Sequence, residues 1–440
     1  MANANTEGYI RQETVLDESV SVQTGSLNLG TGVTAAKVIA CYDKFLEASV
    51  AKENNATEEA TTYESYFSRI ESILNEDNTS LTTNIADFFN AWQTLSTDPT
   101  SDVARTNVVT TGENMCDSIR TIYSELKNLQ TEVDSNVAEQ INEINNILNS
   151  LADVNDQIYK QGEEGKDDAS LIAQKTQLLK NLSGITDIQY FEDDNGGVTV
   201  MTSGGKLLVS GVSVNELSAE KSAEDDCYRV IWGSDSGNSV DITDSFQGGS
   251  LKALIDLRDN EIPQFMDTIN DLAVSLATEV NNAHSTGYTA NGVTGINFFK
   301  DIPTTGDYAA IIAISDEVDT STDYIATTSS ADSTTANDIA LAIADLGSNS
   351  ITIDGQSITY TDYTASIEAQ IGSLSQNAQE LSEYHQNLLA TVEAQRDSVS
   401  GVSIDEEMTN LIKFQTAYQA AARLLNTADT LFTTLMEAFQ

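Results

Sequence analysis

The chain has 440 residues, with 68 acidic against 21 basic side chains and a formal net charge of −47. Its 40% apolar content is enough to bury a core and excludes disorder by composition, while the absence of a basic footprint excludes nucleic acid and anionic membrane as partners. The length suits two to four domains, and like-charged copies repel one another unless apolar contact or screening prevails.

Residues 1–33 are polar and punctuated by Gly8, Gly25, Gly30 and Gly32. They read as extended structure with turns, including a short strand around Val20 and Val22. From Thr34 the period is read as helical. Ala60, Tyr63, Phe67, Ile70 and Leu74 step by three and four along one face. A shorter helix carries Ile85, Phe88, Phe89, Trp92 and Leu95 and stops at Pro99. The longest helix follows, with Ile119, Ile122, Leu126, Leu129, Val133, Val137, Ile141, Ile144, Leu148, Leu151 and Ile158 in coiled-coil rhythm. As one helix, Asp102 to Tyr159 extends on the order of 85 Å, a rod that a compact domain does not need. The run Gln161 to Gly165 ends it, and Leu171, Leu178, Leu179 and Leu182 mark a returning helix. Residues 34–182 are therefore expected to form the N-terminal half of a helical stem.

At Ser183–Gly184 the composition shifts. Ile188 and Tyr190, the turn Asp193–Gly197, and Val198 and Val200 read as a hairpin. Further strands are expected over Leu207–Val214 and Tyr228–Trp232, the latter closed by the Gly233–Asn238 turn, so 183–248 is expected to be a β-rich insert. Its acidic turns lack an ordered calcium-loop pattern and read as solvated turns. Residues 249–304 return to helix (Leu251, Leu254, Ile255, Ile262, Met266, Ile269, Leu272, Leu276, Val280) and a Gly-rich loop. Residues 305–365 read as mixed, with strands at Ala309–Ile314 and Ile351–Tyr360 and a helix at Ala336–Leu346. In 366–400 the strictest heptads occur, through Ile371, Leu374, Leu381, His385 and Leu388. This helix is expected to pair antiparallel with Asp102–Tyr159, giving stem-packing positions Leu126, Leu129, Ile141, Leu148, Ile371, Leu374, Leu381 and Leu388.

The last stretch, 401–440, starts after Ser400–Gly401 with capping-box spacing, Ser403 to Glu406, and acidic Asp405, Glu406 and Glu407 at the positive end of the dipole. Two apolar stripes then run side by side. One includes Leu411, Tyr418, Leu425, Phe432 and Phe439; the other includes Leu424, Leu431 and Leu435. The arc is too wide for a helix lying on one core, so it reads as an assembly helix with neighbours on two sides. A membrane span is excluded, because the chain holds no run of about eighteen apolar residues.

No catalytic constellation emerges. His284 and His385 stand about a hundred positions apart, His385 on a heptad seam. Nucleotide-loop, zinc-protease and serine-hydrolase motifs are absent. Cys41, Cys116 and Cys227 form neither a disulfide framework nor a zinc pattern, and Cys116 reads as a small core residue. No cofactor and no metal are expected. The first residues lack a cleavable signal peptide. The balance favours a structural protein over an enzyme.

Several segments resemble one family. Ala4 to Gln12 (ANTEGYIRQ) is similar to a segment near the start of flagellar rod, hook and junction proteins. Tyr42–Leu46, Asp87–Arg105 (DFFNAWQTLSTDPTSDVAR), Leu257–Asp259, Val280–Tyr288 and Ser400–Leu425 resemble the flagellar hook-associated protein 1 family, the first hook–filament junction proteins. The resemblance implies a mainly α fold with a β insert and a long antiparallel coiled-coil-like stem. It implies a structural subunit exported by the flagellar type III apparatus and placed outside the cell between hook and filament. The implied partners are copies of itself in a ring, the hook protein on one side, the second junction protein on the other, and an export chaperone on the C-terminal helix. His284 then takes a structural role. The family begins with a further amphipathic helix, and Met1 stands where that helix ends. This implies a missing partner for the C-terminal helix, or a misassigned start. The alternatives are a second junction protein, a flagellin-like subunit, or a surface-binding role of the β insert.

Overall fold

The computed structural model describes residues 10–20, 22–24, 27–29, 32–75, 80–163, 169–224, 226–233, 239–303, 306–333 and 335–438. The expected start of the family segment (Ala4–Tyr9), the end of the Gln161–Gly165 turn, the Ser234–Asn238 turn and Phe439 lie outside these residues.

The chain opens with four strands, β1 (Gln12–Glu18), β2 (Val22–Thr24), β3 (Leu27–Leu29) and β4 (Val33–Ala40), followed by helices α1 (Lys44–Leu74), α2 (Leu81–Thr97), α3 (Asp102–Glu163) and α4 (Ala169–Ile185). Strands β5 (Ile188–Glu192), β6 (Val198–Thr202), β7 (Leu207–Ser210), β8 (Ser213–Val214), β9 (Leu217–Lys221), β10 (Tyr228–Trp232) and β11 (Val240–Asp241) come next. Helix α5 (Gly249–Asp256) continues through a π turn (Leu257–Glu261) into α6 (Ile262–Ser285). Then come β12 (Tyr288–Thr289), α7 (Asp316–Thr320), β13 (Ala326–Thr328), α8 (Asp338–Leu346), the hairpin β14 (Ile351–Ile353) and β15 (Gln356–Ile358), α9 (Tyr360–Ser400) and α10 (Ile404–Ala438). At 62 residues, α3 is about 93 Å long.

Two expectations are corrected in this order of elements. Helix does not begin at Thr34: β4 occupies Val33–Ala40 and pairs antiparallel with β1, with a register shift between Val15 and Leu16. Val33, Val38 and Ile39 are β-branched and suit a strand; the helix waits for Asp43, whose carboxylate accepts the Phe45 N–H at 2.8 Å. No strand covers Ala309–Ile314 either. Tyr308–Ala310 is a 3₁₀ turn, and Ile314 makes only an isolated bridge to Phe299.

The chain divides into two compact units. The first comprises 1–55, 144–216 and 386–440. Its core joins Ile144, Leu148, Leu151, Leu179 and Leu182 to Val198, Val200, Leu208 and Val209 of the four-stranded sheet β5-β6-β7-β8. Asn155, fully buried, fastens α3 to that sheet by bonding Val198 N–H, Val198 C=O and Gly211 C=O at 2.8–2.9 Å. The acidic turn behaves as a turn: Asp193 Oδ1 accepts the N–H groups of Asn195 and Gly197.

The second unit comprises 56–143 and 217–385. Its centre is aromatic: Phe88 and Trp92 of α2 stack edge-on or tilted with Phe298, Phe299 and His284, and Phe89 meets Phe88 edge-on and stacks on Tyr360. Gly347 after α8 lets this cluster close, because a Cβ there would lie 2.6 Å from Phe89 Cγ. His284 is fully buried, with Nδ1 2.7 Å from Ile296 O and Nε2 accepting Ala326 N–H at 2.9 Å; burial pushes its pKa down to about 4. The three-stranded sheet β11-β10-β9 also belongs here. Residues 183–248 thus carry two small antiparallel sheets, one in each unit, a division that strand spacing cannot reveal.

The π turn places Arg258 inside this unit with no exposed side-chain area. Its guanidinium bonds Asp134 at 2.9 Å, Tyr228 C=O at 2.6 Å and Asp259 at 2.7 Å. It ties α3 to β10 at a single buried cation, and the extra residue of the π turn is the local distortion that aims it.

Candidate assembly surface

The α9–α10 corner is built from few residues. Gly401 N–H bonds Asp397 C=O at 2.8 Å, and a Cβ on Gly401 would collide with that same oxygen. The chain therefore turns where only glycine fits. Ser403 Oγ accepts the Glu406 N–H at a long 3.4 Å. The reciprocal half of a capping box is not made: the Glu406 carboxylate instead bonds Arg11 Nη1 at 2.6 Å. Arg11 holds the corner from the other side as well, donating its N–H to Ser400 C=O at 2.7 Å and accepting Cys41 N–H at 2.8 Å. Arg396, Ser400 and Ile10 are buried around this joint, as is Glu47. Burial raises the Glu47 pKa, opposed by the nearby Arg396 charge.

Beyond the corner, α10 has no buried residue. Leu411, Tyr418, Leu424, Leu425, Leu431, Phe432 and Leu435 are between 43% and 78% exposed. Ile412, Phe414 and Met408 are exposed too, outside both stripes named from the sequence. They widen the apolar surface, and their signal was only the scarcity of charge between Leu411 and Arg423. Such an unpartnered surface is far larger than scattered surface leucines, and surfaces of this kind mark association sites.

The stem positions divide. Leu126, Leu129, Ile141 and Leu148 on α3 and Ile371 on α9 are buried; Leu374 and Leu388 are half-buried; Leu381 is 49% exposed. On α9 the buried residues are Ile367, Ile371, Ala378, Ser382, Arg396 and Ser400, so Ser382 takes the inward place expected of Leu381. The hydrogen bonds that hold α9 in the second unit run to two other helices. Helix α9 lies against α1 and α2: Thr61 Oγ1 is 3.3 Å from Ser382 Oγ, and Thr82 Oγ1 donates to Thr364 at 2.8 Å. Helix α3 bonds α1 through Arg69–Glu132 and Tyr66–Asn136, and α5 through Gln140–Ser250. A heptad announces a seam but not its partner.

Among the described residues, no group of three or more His, Cys, Asp or Glu side chains could hold a metal ion. No described helix is long and apolar enough to cross a membrane. Cys116 is buried and its thiol is pushed up to about 12 by burial, which suits a core residue.

Residues 67–299 match the family model for the flagellar hook-associated protein FlgK helical domain. Residues 394–438, the end of α9 and α10, match that for the flagellar basal body rod FlgEFG protein C-terminal region. The chain is 28% identical to flagellar hook-associated protein 1 of Bacillus subtilis (strain 168) over 469 aligned residues, covering 98% of this chain and 92% of that protein. With the protein of the same name from Escherichia coli (strain K12) it shares 24% identity, covering 99% of this chain and 95% of that one. The solved structure of the flagellar hook junction protein FlgK from Burkholderia pseudomallei superposes with a TM-score of 0.71 at 13% identity, covering 80% of this chain and 100% of that one. At that identity the likeness is one of fold.

Proposed function

The chain belongs to the flagellar hook-associated protein FlgK family, and on that premise we propose that it is a structural subunit of the bacterial flagellum that joins hook to filament and is required for filament assembly and swimming. The observation that carries this reading is the extent of the match: relatives named flagellar hook-associated protein 1 align over nearly the whole of both chains. The exposed face of α10 supplies the physical means, since it presents apolar side chains that another apolar surface can cover. In this reading copies of the chain form a ring, with the hook protein on one side and the second junction protein on the other. An export chaperone shields α10 before assembly, and the flagellar type III apparatus carries the chain out. The chain then acts by geometry and adhesion, with no catalytic step.

The charge sets the conditions. A net charge of −47 opposes association, and screening at a Debye length of about 10 Å in 0.1 M salt relieves it. Self-association is expected to rise with salt. The decisive test is removal of the gene from its host followed by electron microscopy. Hooks that lack filaments, with flagellin released into the medium, are expected; cells with normal filaments would overturn the reading.

A further inference from the structure

A cavity of about 690 Å³ opens on the first unit between the start of α1, α4 and β5. Its inner wall is apolar, with Val50 and Leu179 buried behind it. Two phenylalanines stand at its mouth, Phe45 at 85% and Phe191 at 54% exposure. Four of the chain's 21 basic residues line it: Lys44, Lys52, Lys175 and Lys180. Lys175 and Lys44 both pair with Glu192, and Lys180 with Glu393. Lys52 has no carboxylate partner among the described residues. Glu47, Asp187 and Glu192 line it as well, so four lysines against three carboxylates leave the lining one positive charge in excess on a chain of −47, with Lys52 the ammonium open to an acidic segment.

The cavity's third wall is also an open sheet edge. β5 is the outermost strand of β5-β6-β7-β8. Ser203 N–H bonds Asp187 C=O, and Asp193 N–H bonds Gly197 C=O. This alternation turns the backbone of Gln189 and Phe191 toward β6, and that of Ile188, Tyr190 and Glu192 toward the open side. A peptide entering the cavity in extended form finds both backbone partners and an apolar seat.

The chain carries a strand suited to it. β1 and β4 form a two-stranded ribbon, an arrangement that is marginal alone and gains from a third strand. β1 reads QETVLDE, with three acids, no base, and an exposed Leu16. Cys41 N–H to Arg11 C=O and Ser19 N–H to Gly32 C=O, either side of the register shift, leave Gln12, Thr14, Leu16 and Glu18 facing the open edge. β4 is the poorer match: it carries Lys37 and no acid, and it lies beside α4 of its own chain. We propose that β1 of a second copy docks along β5, with Leu16 in the cavity between Phe45 and Phe191 and Asp17 or Glu18 against Lys52. This rests on the ring of copies inferred above and names a contact within it.

The test uses the full chain carrying photoreactive p-benzoylphenylalanine in place of Phe191, mixed with ¹⁵N-labelled unsubstituted chain at a salt concentration where sedimentation shows oligomers. Irradiation is expected to give mixed-isotope cross-links to a peptide containing residues 12–18. Cross-links to other segments, links only within one chain, or none in a sample that sediments as oligomers would overturn the contact. Charge exchange checks it separately. Lys52→Glu is expected to weaken self-association at least tenfold, and mixing with an Asp17→Lys, Glu18→Lys chain is expected to restore it. Unchanged association of the first variant, or no recovery on mixing, would also refute it. A chain that stays monomeric at every salt concentration would sink the ring itself; oligomers cross-linked elsewhere would sink only this contact.

Discussion

Replacing Leu425 and Phe432 by alanine separates assembly from folding. Both side chains lie on α10 and are 70% and 67% exposed, so their removal opens no cavity in the monomer. Alanine is also the best helix former, by a few tenths of a kcal/mol per residue. The double variant should therefore melt with the parent chain, within about 0.5 kcal/mol for surface substitutions. In the assembled state the same side chains lose their water. Full burial of a leucine or phenylalanine contributes about 1.5–3 kcal/mol. Scaled to the roughly two-thirds still exposed, the pair contributes about 2–4 kcal/mol, or about 30- to 700-fold in an association constant at 1.4 kcal/mol per decade. Far-UV circular dichroism through the melt, with Trp92 and Trp232 fluorescence reporting the second unit, gives the first quantity. Sedimentation at raised salt gives the second. A melting loss above about 2 kcal/mol, the range of buried rather than surface residues, with association unchanged, would show that α10 docks on its own chain and would refute the reasoning.

Arg258→Met keeps the length of a side chain that is wholly buried but strands Asp134 without its cation. A loss of about 3–5 kcal/mol is expected, read by denaturant unfolding followed through tryptophan fluorescence; a loss below about 1 kcal/mol, the range of exposed ion pairs, would contradict the buried clamp. His284 has its folded pKa pushed down from 6.5 to about 4, so the unfolded chain binds the proton first. Its contribution is whole above pH 6.5 and is lost as the pH falls toward 4, a change of about 3 kcal/mol at 1.36 kcal/mol per unit. Denaturant titrations across that range should show a drop in the parent that His284→Gln lacks; equal pH dependence in both would refute it. Cys116 should resist a thiol reagent in the native chain at pH 8, because its thiol is buried and pushed up to about 12, and react once the chain is unfolded. Labelling of Cys116 as fast as Cys41, followed by mass spectrometry, would argue against the packed site.

Where one side chain periodicity controls the outcome, the sequence is sufficient. The repeats of α3 from Ile119 to Leu151 fall on residues that are all buried, because a helix with one apolar stripe has one way to face a core. The arc of α10 is wider than one core covers, and its exposure follows from the same geometry. The hook-associated motifs were legible because they are local strings. What the periodicity left open is which surfaces meet. Ser382 rather than Leu381 faces inward because α9 lies on α1 and α2, and a heptad is silent on its partner. The strand β4 was read as helix because its pairing with β1 is about twenty residues away in sequence, beyond any local period. Arg258 gave no sign of burial, since its three partners come from α3, β10 and the adjacent Asp259. The cavity beside β5 draws lysines and phenylalanines from two helices and a strand. Those residues share a surface only after the chain has closed, because long-range packing, not local propensity, brings them together.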